Sequence, residues 1–147
     1  MASHSESRLV PYTAETMYAV VADMEKYPQF LPWCTGLKIL SRESQNVLRV
    51  DMQVGFGGLH ESYTSRVTLN PQARTIDITQ VHGPFRVLDT HWRFTPTEGG
   101  SRVDFSISFD FKSRLLNAVA GAAFERVLFK MTEAFEGRAR VLSRNRV

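Results

Sequence analysis

The stretch RLLNAVAGAAFERVLFKMTEAFEGRARVL, residues 114–142, decides the fold, because its first half is apolar almost all round. Ser113 precedes it and is suited to begin a helix. A helix of this length, at about 1.5 Å per residue, crosses a whole sheet, and one this apolar is expected to be buried along much of its length. Its apolar positions form two adjacent stripes at helical spacing: Leu116, Ala120, Ala123, Val127 and Met131, with Leu115, Val119, Phe124, Leu128 and Phe135 beside them.

Upstream of this helix the sequence alternates with the period of strands. Turn signals separate the alternating runs, which indicates an antiparallel meander with one dry face. The predicted architecture is therefore α+β, in a single domain over residues 1–147: a curved antiparallel sheet of about six or seven strands wrapped around one long C-terminal helix. The predicted strands are SESRLV (5–10), NVLRVDMQV (46–54), ESYTSRVTL (61–69), RTIDIT (74–79), RVLDTHWRF (86–94) and RVDFSISFDF (102–111).

The connector EKYPQFLPWC, residues 25–34, is unusually rich in apolar side chains. A first helix, capped by Thr13 and ended by Pro28, is predicted before it. Residues 27–31 are expected to add a further turn, so that one or two short helices follow the first strand. Connectors are normally polar. We therefore expect this one to fold as a lid over one end of the interior between sheet and helix, its aromatic side chains plugging that interior or forming its rim.

A curved sheet and a straight helix leave a gap where they do not meet. The helix has a stretch of almost no side-chain volume, formed by Ala118, Ala120, Gly121, Ala122 and Ala123. These small residues indicate either close approach of the helix to the sheet or room for a ligand in the interior.

Charge and composition are those of an ordinary globular chain with a formal net charge of +3. Part of the basic excess lies at the end of the chain, in Arg138, Arg140, Arg144 and Arg146. These arginines complement the dipole of the last helix, or meet an anionic partner such as a membrane surface or RNA. The one cysteine, the N-terminal sequence and the lack of an apolar run of about 20 residues predict a cytosolic protein.

The sequence offers little for catalysis. Asp89 and His91 share a strand face opposite Trp92, which predicts a solvated pair rather than a metal site. Cys34 has no evident activating base and is expected to be a structural thiol. GFGGL, residues 55–59, lacks the lysine and the helix of a phosphate loop, so a hairpin turn is predicted. Its two apolar side chains are expected to pack over the helix end or dip into a membrane. The profile is that of a binder.

Three stretches together resemble the coenzyme Q-binding proteins of the START-like (SRPBCC) superfamily, a group that includes bacterial RatA-type proteins: MEKYPQFLPWC, VGFGGLHESYTSRV and FKSRLLNAVAGAAFERVLFKMTEAFEGRA. The resemblance implies the helix-grip fold, an interior lipid cavity and a non-catalytic role in binding or delivering ubiquinone for respiration. It also implies an alternative, a toxin that binds the large ribosomal subunit and blocks initiation. Residues 57 and 58 are glycines where related proteins are expected to carry a basic residue.

These inferences predict a ubiquinone or similar isoprenoid lipid as ligand, with no metal, no other cofactor and no DNA partner. The protein is expected to be cytoplasmic and peripheral at a bacterial inner membrane. A third possibility is an enzyme that acts in the cavity, as in polyketide cyclase-like relatives. The sequence offers no buried acid or base for such an enzyme. Tyr63 is suited to donate its hydroxyl to a quinone carbonyl. The candidate ligand-binding positions, each equally suited to be plain core, are Phe30, Leu31, Trp33, Met52, Tyr63, Trp92, Phe105, Phe109, Phe124, Leu128 and Met131.

Overall fold

The computed structural model describes residues 2–56 and 59–144, apart from the side chains at 56, 59 and 119–121. Its elements, in chain order, are β1 (Ala2–Val10), α1 (Ala14–Ala22), a 3₁₀ turn (Met24–Lys26), α2 (Tyr27–Phe30), β2 (Cys34–Ser44), β3 (Val47–Phe56), β4 (Leu59–Asn70), β5 (Thr75–His82), β6 (Phe85–Thr97), β7 (Gly100–Phe111), α3 (Arg114–Phe129) and α4 (Met131–Arg144). No helix among the described residues is long and apolar enough to cross a membrane.

The predicted α+β fold with a START-like antiparallel sheet is confirmed. Within the described residues, seven strands form one sheet in the order β1-β7-β6-β5-β4-β3-β2, and every neighbouring pair is antiparallel. The inward positions of each predicted strand are buried or half-buried, as the alternation requires. The strand that the sequence did not predict is β2, whose outer half is largely exposed and therefore carries a weak apolar pattern.

The start of α1 is as predicted, whereas its end is not. The Thr13 hydroxyl accepts a hydrogen bond from the Thr16 N–H over 3.1 Å. The helix ends at Ala22 rather than at Pro28, because Asp23 leaves the helical conformation. Pro28 instead lies in the first turn of α2, where its missing N–H needs no partner.

The long C-terminal helical segment is confirmed, with an interruption at Lys130 that divides it into α3 and α4. Its expected burial is wrong for α3: Leu115 and Phe129 are 72% and 66% exposed. The reason is that α1 packs on β6, β7 and α4, so several helices share the inner face of the sheet. Among the described side chains of α3, Ala123, Val127 and Leu128 are buried, and Leu116 and Phe124 are half-buried against the core.

Helix α4 is held through polar contacts as well as apolar ones. The Arg8 guanidinium on β1 lies 2.6 Å from a Glu136 carboxylate oxygen, and the Thr132 hydroxyl donates to Glu6 over 2.7 Å. On its other side Phe135 is 1% exposed and lies edge-on to Trp92, with ring centroids 5.2 Å apart. This helix therefore fixes one end of the interior.

The structure shows where some of the small residues of α3 lie. Ala118 and Ala122 are exposed, so they neither approach the sheet nor leave room inside it. Ala123 is buried. The side chains at 120 and 121, the apolar tip at residues 56–59 and the arginine at position 146 lie outside the described side chains.

Candidate functional site

A small apolar cavity of about 90 Å³ lies between the inner face of β3 to β7 and the helices. Most of the predicted ligand-binding positions converge on it, from the inward sides of the strands, from the buried side of the C-terminal helices and from the connector after α2. Those that line it are Leu31, Trp33, Met52, Tyr63, Trp92, Phe105, Phe124, Leu128 and Met131.

Two predicted positions lie outside the lining. Phe30 packs against Phe135, with ring centroids 5.4 Å apart. The Arg138 guanidinium lies 5.2 Å from the centroid of the Phe30 ring. Phe109 lies behind Phe124, with ring centroids 4.6 Å apart. Both therefore support residues of the lining without facing the cavity themselves.

The connector between α1 and β2 is both core and rim. Tyr27 and Leu31 are 5% and 2% exposed and line the cavity, whereas Trp33 is only half-buried. The Tyr27 hydroxyl donates to the Val21 carbonyl at the end of α1, and this bond links the connector to α1. The expected lid is thus anchored by Tyr27 and ends in Trp33 at its edge.

Further lining residues were not among the predicted ones. Five of them lie two or four positions from a predicted residue on the same strand face, so the alternation in the sequence was sufficient to find them: Val50, Val54, Val67, Leu88 and Ile107. Ser65 and Thr90 are different, because they are polar side chains at inward positions and are 5% and 7% exposed. Their position in the strand alternation indicates that they point inward. They were not predicted because polar residues in a strand usually face solvent.

The polar groups in the cavity are uncharged. The Tyr63 hydroxyl donates to Met52 Sδ over 3.3 Å, a weak bond, and burial raises the pKa of Tyr63 above its ordinary value. It therefore stays a neutral donor. The Ser65 Oγ is buried and has no hydrogen-bond partner among the described residues. Both groups are suited to donate to a carbonyl oxygen.

Cys34 lies beside this region as a structural thiol. It is 3% exposed, its Sγ is 3.6 Å from the Gly36 carbonyl oxygen, and burial raises its pKa to about 11. At neutral pH it is a thiol rather than a nucleophilic thiolate.

A surface cleft of about 280 Å³ adjoins the cavity, and we call it the mouth: it is formed by Pro32, Trp33, Gly55, Ala123, Arg126, Val127 and Lys130. Trp33 and Val127 line both the cavity and the mouth, so they form the wall between them. Arg126 and Lys130 are exposed at the mouth, and neither forms an ion pair with a carboxylate in the described part of the chain. The mouth is therefore apolar inside and cationic at its edge.

The outer face of the sheet carries the predicted histidine–aspartate pair. His91 Nδ1 lies 2.5 Å from Asp77 Oδ1, and Nε2 lies 3.2 Å from Asp89 Oδ1. The hydrogen bond to Asp77 raises the pKa of His91, and the weaker one to Asp89 adds to this effect. All three side chains are about half exposed, so this is a solvated cluster away from the cavity. No group of three or more His, Cys, Asp or Glu residues suited to hold a metal occurs among the described residues.

Residues 10–136 match the family described as polyketide cyclase/dehydrase and lipid transport. The ribosome association toxin RatA of Escherichia coli strain K12 is 38% identical over 138 residues, which cover 92% of this chain and 85% of that protein. The coenzyme Q-binding protein COQ10 homolog B of Xenopus laevis is 36% identical over 149 residues, covering 98% of this chain and 61% of that protein.

The fold is also found in solved structures. A START superfamily protein from Mycobacterium smegmatis superposes with a TM-score of 0.80 at 22% identity, over 95% of this chain and 98% of that one. The chain has the fold of a START superfamily protein, and by its sequence it belongs to the polyketide cyclase/dehydrase and lipid transport family, with relatives named RatA and COQ10.

Proposed function

We propose that this chain is a non-catalytic carrier of ubiquinone or a similar isoprenoid lipid that supports respiratory electron transfer. The observation that carries the proposal is the apolar cavity between sheet and helices, which shares Trp33 and Val127 with a cationic mouth. The relationship to a protein named for binding coenzyme Q supports the choice of ligand.

The cavity must enlarge to accept such a ligand, because its 90 Å³ is well below the roughly 300 Å³ of small ligand pockets. Helix α3 is the wall suited to move. Among its described side chains only Ala123, Val127 and Leu128 are buried, its far side is exposed to solvent, and it joins α4 at the turn residue Lys130. Its contribution to the lining includes Phe124 and Leu128.

Burial of the ring and of the first part of the tail supplies the affinity. Each buried methylene contributes about 0.8 kcal/mol, so two or three isoprene units are sufficient without any catalytic type of contact. A full-length tail exceeds the volume of any pocket in a domain this small. The distal tail therefore follows the mouth or stays in the bilayer.

A carrier with this arrangement works at a membrane surface. Arg126 and Lys130 at the mouth are available to anionic head groups, at about 1 kcal/mol each. The proposed location is accordingly peripheral, on the cytoplasmic face of a bacterial inner membrane.

The polar groups of the cavity favour binding over catalysis. The described lining residues contribute hydroxyls and the indole groups of Trp33 and Trp92, and no carboxylate, imidazole, guanidinium or amine. Acid–base chemistry of the cyclase kind would need a titratable group poised near neutral pH. The rise in the Tyr63 pKa moves it further from that range.

Ribosome binding is the second candidate function, favoured by the relationship to proteins named as ribosome association toxins. The unpaired cations at the mouth and the exposed Arg140 and Arg144 would meet ribosomal RNA. This candidate predicts co-sedimentation with the large ribosomal subunit and a steep loss of binding as salt rises.

Titration with quinones of increasing tail length tests the proposal. We expect the affinity to rise over the first two or three isoprene units and then to level off, since later units remain outside the cavity. An affinity that is absent, or that rises equally with every added unit, would contradict a closed cavity as the binding site.

A further inference from the structure

The Ser65 hydroxyl is a buried polar group that nothing in the fold explains. It lies on β4 between Tyr63 and Val67, on the same inward face, and is 5% exposed. Its Oγ is completely covered and has no hydrogen-bond partner among the described residues. An unpaired buried hydroxyl is destabilising, and Ala or Val at this position would serve the fold better. This position points to a partner that enters the cavity.

The sheet register shows how deep this hydroxyl lies. Ser65 pairs directly with Val50 on β3, and Gly55 at the mouth lies five residues further along that strand. At about 3.3 Å per residue, Ser65 is about 16 Å from the mouth. Tyr63 pairs with Met52 and lies between the two. A ligand that passes Trp33 therefore reaches Tyr63 before Ser65.

We infer that Ser65 is a deep hydrogen-bond donor of the ligand site, and that it selects a lipid with a carbonyl-bearing head group and orients that head group inward. This inference rests on the proposed function and adds to it an orientation: the ring lies deep, against the Ser65 and Tyr63 hydroxyls, and the tail points to the mouth. A quinone has acceptor oxygens on opposite sides of its ring, which matches two donors on one strand face.

The orientation follows from what each part of the lipid needs. The carbonyl oxygens lose their water on burial and need donors in return, whereas the tail needs only apolar surface. The tail is also the part that the cavity cannot hold in full. With the head group inward, the carbonyl oxygens meet donors and the excess tail stays near the membrane.

Two ligands and four forms of the full-length chain test the inference by calorimetric titration. One ligand is a ubiquinone with two isoprene units, and the other carries the same tail on a benzene ring without oxygen. The forms are wild type, Ser65→Ala, Ser65→Thr and Ser62→Ala, the last being the same change at an exposed, outward position of the same strand. Thermal unfolding of each form without ligand is the control for folding, and Ser65→Ala should be at least as stable as wild type.

We expect Ser65→Ala to weaken quinone binding about three- to ten-fold and to leave the affinity for the oxygen-free ligand unchanged. Ser65→Thr, which keeps the hydroxyl, should retain the discrimination, and Ser62→Ala should change neither affinity. Equal affinity of wild type for both ligands, or equal effects of Ser65→Ala on both, would overturn the inference and leave the carrier function standing. Equal effects of Ser65→Ala on both ligands would show that the serine serves packing or binds a trapped water instead of the head group. Failure of wild type to bind either ligand would overturn the carrier function, and the inference with it.

Discussion

The Gly55 N–H donates a hydrogen bond of 2.9 Å to the Trp33 carbonyl, and this bond holds the connector between α2 and β2 against the end of β3. The backbone of Trp33 is thereby fixed while its side chain stays half-buried between the cavity and the mouth. A residue with a fixed backbone and a partly free side chain is suited to gate the cavity by a rotamer change.

Truncation of this side chain tests its role as a gate. We expect Trp33→Ala to release bound quinone about tenfold faster, equivalent to a barrier lowered by about 1.4 kcal/mol. Stopped-flow transfer of quinone from the protein to empty vesicles measures the rate. Phe30→Ala is the matched control, because Phe30 belongs to the same segment but packs on Phe135 outside the cavity. An unchanged release rate in Trp33→Ala, or equal acceleration in both variants, would refute the gate.

The neighbouring alanines Ala122 and Ala123 allow a test of ligand access along α3. Ala123 is buried at the mouth, and Ala122 is exposed on the same turn. We expect Ala123→Leu to reduce quinone affinity about tenfold, since overpacking costs about 1–3 kcal/mol, and Ala122→Leu to have no effect. Affinity is measured by titration, and thermal unfolding shows whether the fold is intact. If Ala123→Leu unfolds the protein instead, the alanine serves close packing of α3 and not access.

Charge reversal at the mouth tests membrane binding. We expect Arg126→Glu with Lys130→Glu to weaken binding to vesicles containing anionic lipid by at least tenfold, because each cation near such a surface contributes about 1 kcal/mol. Co-sedimentation with vesicles of defined anionic content measures this. Arg93→Glu makes the same kind of change on the outer face of the sheet, away from the mouth, and should have little effect. Equal losses would show that net charge, rather than the mouth, determines binding.

The histidine on the outer face gives a pH prediction independent of the ligand. Because its bonds to Asp77 and Asp89 raise the pKa of His91 above 6.5, protonation favours the folded state. Its contribution to stability is therefore present below about pH 6.5 and is lost as the pH rises through the raised pKa. The effect is small, since the side chains are about half exposed. NMR titration should show a His91 pKa above 6.5 in the wild-type chain and a lower His91 pKa in Asp77→Asn. A His91 pKa at or below 6.5 in the wild-type chain would contradict this account.

The sequence predicted the elements whose apolar pattern is strong. The alternation in β7 and the cap at Thr13 are local signals, and local chemistry determines them. Strand β2 was missed because most of it is exposed, so its sequence carries only a weak alternation of apolar residues. The burial of α3 was overestimated because helix patterns do not show how several helices divide one sheet face.

The candidate site was predicted only in its apolar part. Positions such as Met52 and Leu128 follow from periodicity alone. Ser65 could not be recognised in this way, because a serine in a strand is ordinarily an outward residue, and only the three-dimensional structure shows it unpaired inside a cavity. The mouth depends on the contact between residues as distant as Trp33 and Val127, which no local pattern specifies.

Organic extraction of the protein purified from a quinone-producing bacterial host, followed by mass spectrometry, tests the central claim most directly. The carrier account predicts a quinone in the extract at a substantial fraction of the protein concentration, and its reduction in Ala123→Leu purified in the same way. A well-folded protein whose extract contains no quinone, or only phospholipid, would contradict the account and make the large ribosomal subunit the next partner to test.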